Sequence, residues 1–300
     1  MSGYASPTRK DTTVCIGAFF PANFRLPRAH LEWVFKTLSS CGVDVVFAQV
    51  VRSGQNRVIT PRGFKNLVLR CDSVLFHKES LWNIAARESK TEKIVWIDGD
   101  VVFDDMRWID GASEVLDSCD IMQPFDVAVW LDTQHRPAAS KKSAAHAIMS
   151  GEVFDGRYHH PGFAWGMTRK FFDSIGGFYD LHPLGGGDTS FAIALYGALS
   201  GMTVDEIKIG WLAAHSQSYA DYIERLRSLR PTLGCQKNVV RHLWHGTLER
   251  RQYQNRHKYA PALINAEYPV RRRQDGLLEW IDTEGDRTML EYFKSREEDG

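Results

Sequence analysis

No stretch of this sequence approaches the roughly 20 consecutive apolar residues that cross a bilayer. No two of its cysteines form a CxxC pair, and neither sign of charge prevails, with 37 Lys and Arg against 37 Asp and Glu in 300 residues. The first lack argues against a membrane anchor. The opening residues, MSGYASPTRKDTT, are polar and hold no apolar core of a secretory leader. Cys15, Cys41, Cys71, Cys119 and Cys235 are odd in number and widely spaced. That pattern excludes a disulfide framework or a zinc ribbon and predicts reduced thiols in a cytoplasmic protein. The missing basic excess is unlike a general nucleic-acid binder. At 43% hydrophobic and 25% charged, the composition excludes disorder, collagen and coiled coil and is enough for a sizeable core. Aromatics are plentiful, 12% of residues with nine Trp, enough for stacking surfaces.

The even charge is an average over uneven blocks. Residues 1–70 carry 10 basic and 3 acidic side chains, residues 71–235 carry 15 and 23, residues 236–273 carry 9 and 2, and the last 27 carry 3 and 9. An acidic middle between basic flanks suits a site where carboxylates hold a metal and the flanks an anion, although each block also reads as a solvated face.

Hydrophobic periodicity organises the chain. Thr13–Phe20 reads as a buried strand, Pro27–Leu38 as an amphipathic helix ended near Gly42, and Val43–Val51 as a second strand. A basic loop from Arg52 to Lys65 precedes a helix over Lys78–Glu88 and a third strand, Lys93–Ile97, that runs into Asp98-Gly99-Asp100. This alternation predicts an α/β sheet with parallel strands. Further on, Met106–Leu116 reads as helix, Asp120–Val129 as strand, 132–160 as a mobile loop, and Phe163–Met167 as strand. Helices follow over Thr168–Ile175, Asp188–Leu199, 218–229 and 286–295, with a strand at Asn238–Leu243. No linker or repeat interrupts the pattern, which predicts one domain.

Four segments carry residues suited to chemistry. In an open α/β sheet, ligands gather at the carboxyl ends of the strands. Asp98 and Asp100 stand at such an end, and hard oxygen donors suit Mg2+ or Mn2+ bridged to phosphates. His242-Leu243-Trp244-His245-Gly246 lies in a basic segment; one histidine can complete a metal site, and His245 is favoured because Gly246 gives close backbone access. On a strand, His242 and His245 would face opposite sides. Arg250 and Arg251 are planar forks suited to a leaving diphosphate. Gly185-Gly186-Gly187-Asp188 sets Asp188 at a helix start, as a general base for a hydroxyl or simply as a cap. His160-Pro161-Gly162-Phe163-Ala164-Trp165 leads into Trp165, a sugar-binding wall or a core residue.

In this order the segments resemble the GT-A glycosyltransferases, and more narrowly the short soluble family-2-like members found in phages and bacteria. The residues that carry the resemblance are Phe19-Phe20-Pro21, FHKESLWNIAARES, IVWIDGDVVF, HPGFAWGMTRKFFDSIGGFYD, LGGGDTSFAIALYG and HLWHGTLERRQY, spread from about residue 12 to 258. The resemblance implies a Rossmann-like GT-A fold, a mixed, mainly parallel sheet flanked by helices. Within the single domain 1–300, it implies a nucleotide-sugar half at 12–103, an acceptor half at 104–235 and a metal- and diphosphate-binding segment at 236–300. It implies a nucleotide-diphosphate sugar donor, usually uridine-linked, and Mn2+ or Mg2+. Asp98 would meet the ribose or the metal shell, and Asp100 and His245 would ligate the metal. Phe20 would lie by the base, Lys78 and Asn83 on the helix lining the nucleotide, and Asp188 at the position of the base in inverting members. Where many members carry paired acidic residues, this chain has Gly187-Asp188.

The acceptor is drawn less sharply. Phage relatives that glycosylate hydroxylated bases make hydroxymethylated double-stranded DNA the leading acceptor, met in the host cytoplasm if a phage encodes the chain. Basic flanks, the 132–160 loop and the aromatics would serve a polyanion and an extruded base. A surface or lipopolysaccharide-type glycan is the alternative. From other classes, a DxD phosphohydrolase or a non-catalytic nucleotide-sugar-binding module remains open.

Overall fold

A computed structural model describes residues 10–54, 58–202, 217–247, 249–251 and 270–300. The opening polar residues before Lys10, part of the 52–65 loop, and Leu248, Gln252 and Tyr253 of the HLWHGTLERRQY segment lie outside the described residues.

The described chain runs β1 (Thr12–Phe19), α1 (Leu26–Ser39), β2 (Asp44–Val51), β3 (Lys65–Arg70), α2 (Lys78–Glu88), β4 (Lys93–Ile97), β5 (Val101–Phe103) and α3 (Trp108–Leu116). Then come β6 (Ile121–Gln123), β7 (Val127–Leu131), β8 (Pro137–Ser143), α4 (Ala144–Met149), β9 (His159–His160), β10 (Ala164–Thr168), α5 (Arg169–Ile175) and α6 (Gly187–Ser200). It continues with α7 (Gln217–Leu229), β11 (Leu233–Cys235), β12 (Val239–His242), β13 (Val270–Arg272), β14 (Leu278–Trp280) and α8 (Thr283–Ser295).

The central sheet has the order β11-β6-β10-β4-β1-β2-β3. Strands β3, β2, β1 and β4 are parallel, and β10 enters antiparallel beside β4. This is the expected mixed, mainly parallel α/β sheet. Its strands are apolar on both faces because helices cover both. Cys15, Ile94 and Trp96 point to the side covered by α2, α5, α6 and α7, while Val14, Ile16, Val95 and Ile97 point to the side of α1 and α3. Each such aliphatic, fully buried, contributes about 1.5–3 kcal/mol.

A second sheet, β5-β12-β7-β8-β9, stands beside the carboxyl end of β4. Its register pairs His242 with Val101, so β12 delivers a histidine next to the residue that follows Asp100.

Three sequence expectations are corrected. The single strand Asp120–Val129 is two strands in different sheets, β6 and β7, parted at Pro124, which has no N–H to give a ladder. The basic loop gives way at Lys65 to an edge strand, β3, whose residues are largely half-buried or exposed. The mobile loop at 132–160 is mostly regular. The Asp132 carboxylate accepts from Gln134 N, Arg136 N and Arg136 Nε to close the β7–β8 hairpin, and Ser143 Oγ accepts from His146 N to cap α4. Strand β8 is exposed along most of its length and therefore carries no apolar period.

Candidate active site

The carboxyl ends of β1 and β4, the first turns of α2 and α6, and the end of β12 converge on one group of charged side chains. Lys78, the first residue of α2, lays its ammonium 4.6 Å from the Trp82 ring centroid one turn on. From there Lys78 Nζ donates to Asp98 Oδ2 at 3.0 Å and to Asp188 Oδ2 at 3.2 Å. Asp188 sits in the first turn of α6, and its other oxygen, Oδ1, accepts from Thr189 N at 2.7 Å. A Cβ on Gly162 would stand 2.6 Å from Asp188 Oδ2, so glycine there keeps the carboxylate's place open.

Glu79 adds a third carboxyl. It is buried, and a Cβ on Gly187 would lie 2.4 Å from its Cδ. The space that a side chain at 187 would fill is therefore taken by an acidic residue from α2. Burial raises the Glu79 carboxyl to about 7 against the pull of Lys78, and Asp188 adds to the rise. Burial likewise raises Asp98 to about 7, with Lys78 opposing and Asp100 reinforcing. Burial works against the Lys78 ammonium too, but Asp98, Asp188 and Glu79 outweigh it and hold the lysine above its usual range.

Asp100 turns the other way. Its Oδ2 lies 2.7 Å from His245 Nε2 and 3.5 Å from His242 Nε2. Ligand atoms of these three residues all fall within 4.8 Å of one another. Asp100 Oδ1 is buried and has no hydrogen-bond partner among the described residues. Burial would raise the Asp100 carboxyl, but the two imidazoles hold it well below the usual carboxylate range. Burial pushes His242 down to about 3 against the pull of Asp100, with Arg251 adding to the fall, so its ring is neutral and can be a ligand. One carboxylate, its Oδ1 orphaned, and two imidazoles fit a divalent transition cation such as Mn2+ better than Mg2+, which prefers oxygen donors throughout. His242 Nε2 also accepts from Arg251 Nη1 at 3.1 Å, and ligation by His242 requires that bond to be given up.

Phe163 ties the two groups together. Its φ of 72° is left-handed, a strain of about 1–3 kcal/mol for a non-glycine residue. In that pose its carbonyl accepts from Asp98 N at 2.8 Å, and its ring stacks on His242 with centroids 5.1 Å apart.

Of the residues singled out from sequence, the structure brings together Asp98, Asp100, His245, Lys78 and Asp188. Asp98 is turned to Lys78 and stands outside the group of Asp100, His242 and His245. Gly99 serves close packing, since a Cβ there would meet Leu31 Cδ1 at 2.9 Å. His242 joins His245 because β12 ends at His242 and the chain no longer alternates beyond it. Phe20 follows β1 half-buried, with the Arg28 guanidinium 4.2 Å above its ring.

Four residues are placed otherwise than expected. Asn83 is buried, its amide donating to Phe178 O and accepting from Phe178 N, which turns it to the backbone at 178 rather than to a nucleotide. Trp165 is fully buried, with its indole N–H on Pro161 O, which makes it core rather than wall. Arg251 is buried on His242 Nε2 and His245 O, and exposed Arg250 is paired with Glu297. Glu79, His242 and Phe163 were not chosen from sequence; the only signal for Glu79 was its place next to Lys78.

No protein-family description matches the chain, and no curated protein matches it. Among solved structures, TarS residues 1–349 from S. aureus is 10% identical over 95% of this chain and 71% of that one, with a TM-score of 0.44. Glucosyl-3-phosphoglycerate synthase from Mycobacterium tuberculosis, solved with Mn2+, uridine diphosphate and glucosyl-3-phosphoglycerate, is 9% identical over 78% of this chain and 72% of that one, with a TM-score of 0.42. The longer TarS structure is 10% identical over 61% of this chain and 33% of that one, at a TM-score of 0.38. No helix among the described residues is long and apolar enough to cross a membrane.

Proposed function

We propose that this chain is a GT-A-type glycosyltransferase that moves a sugar from a nucleotide-diphosphate donor, most simply a uridine one, to a hydroxyl acceptor with a divalent cation. The observation that carries this reading is the convergence of Asp100, His242 and His245 beside the Asp98–Lys78–Asp188 chain at the carboxyl end of β4.

Asp100 and His245, with His242 once freed of Arg251, would hold Mn2+ or Mg2+. When bound, the cation supplies positive charge against the departing diphosphate. Asp188 is the base: its Oδ2 faces the notch left by Gly162 and takes the acceptor's proton. Lys78 fixes Oδ2, while Thr189 N fixes Oδ1. Such positioning ahead of reaction is where most of the rate gain of a transferase resides.

A hydroxyl is as far as this site draws the acceptor. The DNA reading drew on the basic flanks, the aromatics and the basic loop at 132–160. There Arg136, Lys142 and Arg157 pair with Asp132, Glu152 and Asp155, and Lys141 Nζ donates to Gly156 O. The hydroxyl chemistry therefore supports hydroxymethylated DNA and a surface glycan alike.

Thermal melting with a panel of nucleotide sugars, with and without Mn2+, tests the proposal. One uridine- or guanosine-linked sugar is expected to raise the melting temperature only with the cation present, by mass action on the folded state. The absence of a shift with every member would overturn it. Asp188→Asn is expected to lower transfer by about 10²–10⁴-fold with donor binding retained; a near-parental rate would remove Asp188 as the base.

A further inference from the structure

The five residues after α8 fold back onto the histidine segment. Asp299 Oδ1 accepts from Arg25 N at 2.7 Å and Leu26 N at 2.8 Å, supplying from the far end of the chain the cap that α1 lacks locally. The backbone at Arg296 and Glu297 lies against Gly246, where a Cβ would stand 3.3 Å from both carbonyl oxygens. Glycine there, at φ 83°, admits the C-terminal segment rather than a substrate. Between these anchors, Glu298 projects inward with its side chain only 12% exposed. Glu298 Oε1 stands 3.3 Å from His245 Nδ1 and 2.5 Å from Arg296 Nη2. The Arg296 guanidinium in turn lies 5.7 Å from the Phe293 ring centroid, which fixes the carboxylate's second partner.

His245 thus stands between two carboxylates, Asp100 at Nε2 and Glu298 at Nδ1. We infer that Glu298 is a positioning residue for the cation site. In the structure Nε2 donates to Asp100 Oδ2 at 2.7 Å, and Nδ1 makes no hydrogen bond among the described residues. A cation on Nε2 would leave the ring's proton at Nδ1, where Glu298 Oε1, 3.3 Å away, is the carboxylate placed to accept it. An imidazole fixed in this way is a stronger and better-aimed ligand than one free to choose its tautomer. The inference rests on the cation-binding reading above and adds a residue that no motif of the chain had marked.

Mn2+ alone, titrated into the full chain and followed by electron paramagnetic resonance, provides the test. Glu298→Gln keeps the side chain's size and one carbonyl oxygen. It is expected to weaken Mn2+ binding by about 10–100-fold, the usual loss when a partner behind a ligating histidine is removed. Asp299→Asn, which weakens the α1 cap but leaves Glu298 in place, is expected to lower the melting temperature and leave Mn2+ binding within twofold. A Glu298→Gln affinity equal to the parent's overturns this inference while the cation site stands. If the parent itself binds no Mn2+, the site and the inference fall together. Equal weakening in both variants would mean that the C-terminal segment acts only by folding, and would also overturn the assignment to Glu298.

Discussion

Asp100→Ala is expected to fold, to lose Mn2+ binding, and to transfer sugar about 10³-fold more slowly than the parent or worse. Among the described residues, the charged oxygen donor that faces both imidazoles is Asp100. Asp98 cannot take its place, because Lys78 already holds its Oδ2 at 3.0 Å. Without Asp100, two imidazoles remain to face the cation, with the Arg251 guanidinium on His242 and the Glu298 carboxylate behind His245 rather than toward the cation, a set too weak to hold it. Cation stabilisation of a leaving diphosphate is worth several kcal/mol, and each 1.36 kcal/mol is tenfold in rate, which sets the size of the loss. Asp100→Asn should fall almost as far, since it keeps the shape and loses the charge. Turnover at the parental rate in either variant, measured as release of the nucleoside diphosphate, would sink the cation reading altogether. Partial recovery at high Mn2+ would instead show that the two histidines bind weakly alone.

Much of this site was legible because its parts are local. A buried strand that runs into two acids needs only β4 and its exit, whereas Lys78 was named through the resemblance alone. His242 was illegible because strand alternation sets it opposite His245, and nothing in the sequence marks where β12 ends. Asn83 lies off the site for the opposite reason, and Trp165 takes the core side of its two readings. Their neighbours in sequence reach the site, but each spends its polar atoms on a backbone group that tertiary packing brings alongside, Phe178 and Pro161. Glu79 and Glu298 depend on distant contacts, one under Gly187 and one behind His245. The segment 132–160 looked unstructured because its strand is held by backbone pairing in an exposed setting, where side-chain periodicity is silent. The sheet itself read well, since strands covered on both faces are apolar at most positions.

Lys78→Met gives the second large effect, and it is a loss of stability that depends on pH. Methionine keeps an unbranched apolar stem against Trp82 but removes the ammonium hydrogen-bonded to both Asp98 and Asp188, with buried Glu79 alongside. Removing one partner of a fully buried ion pair costs about 3–5 kcal/mol. Lys78, Asp98 and Asp188 retain 19%, 21% and 23% side-chain exposure, so the lower end, about 3 kcal/mol at pH 8, is expected. The sign with pH follows from the raised carboxyls. Asp98 and Glu79 hold their protons up to about 7 when folded, whereas in the unfolded chain they release them near 4. A raised carboxyl contributes stability that is full below the unfolded pKa and is lost as pH rises through the folded one. Without Lys78 that folded value climbs further, so the variant's deficit should be largest at pH 8 and should shrink at pH 5, where both carboxyls can carry a proton. Urea denaturation at the two pH values reads this directly. An equal deficit at both would reduce Lys78 to a packing role, and no deficit would mean that the three carboxyls do not share it. Because Lys78 does not touch Asp100, the same variant should still bind Mn2+ yet lose transfer, its base no longer fixed. That combination separates the proton-taking half of the site from the cation-holding half.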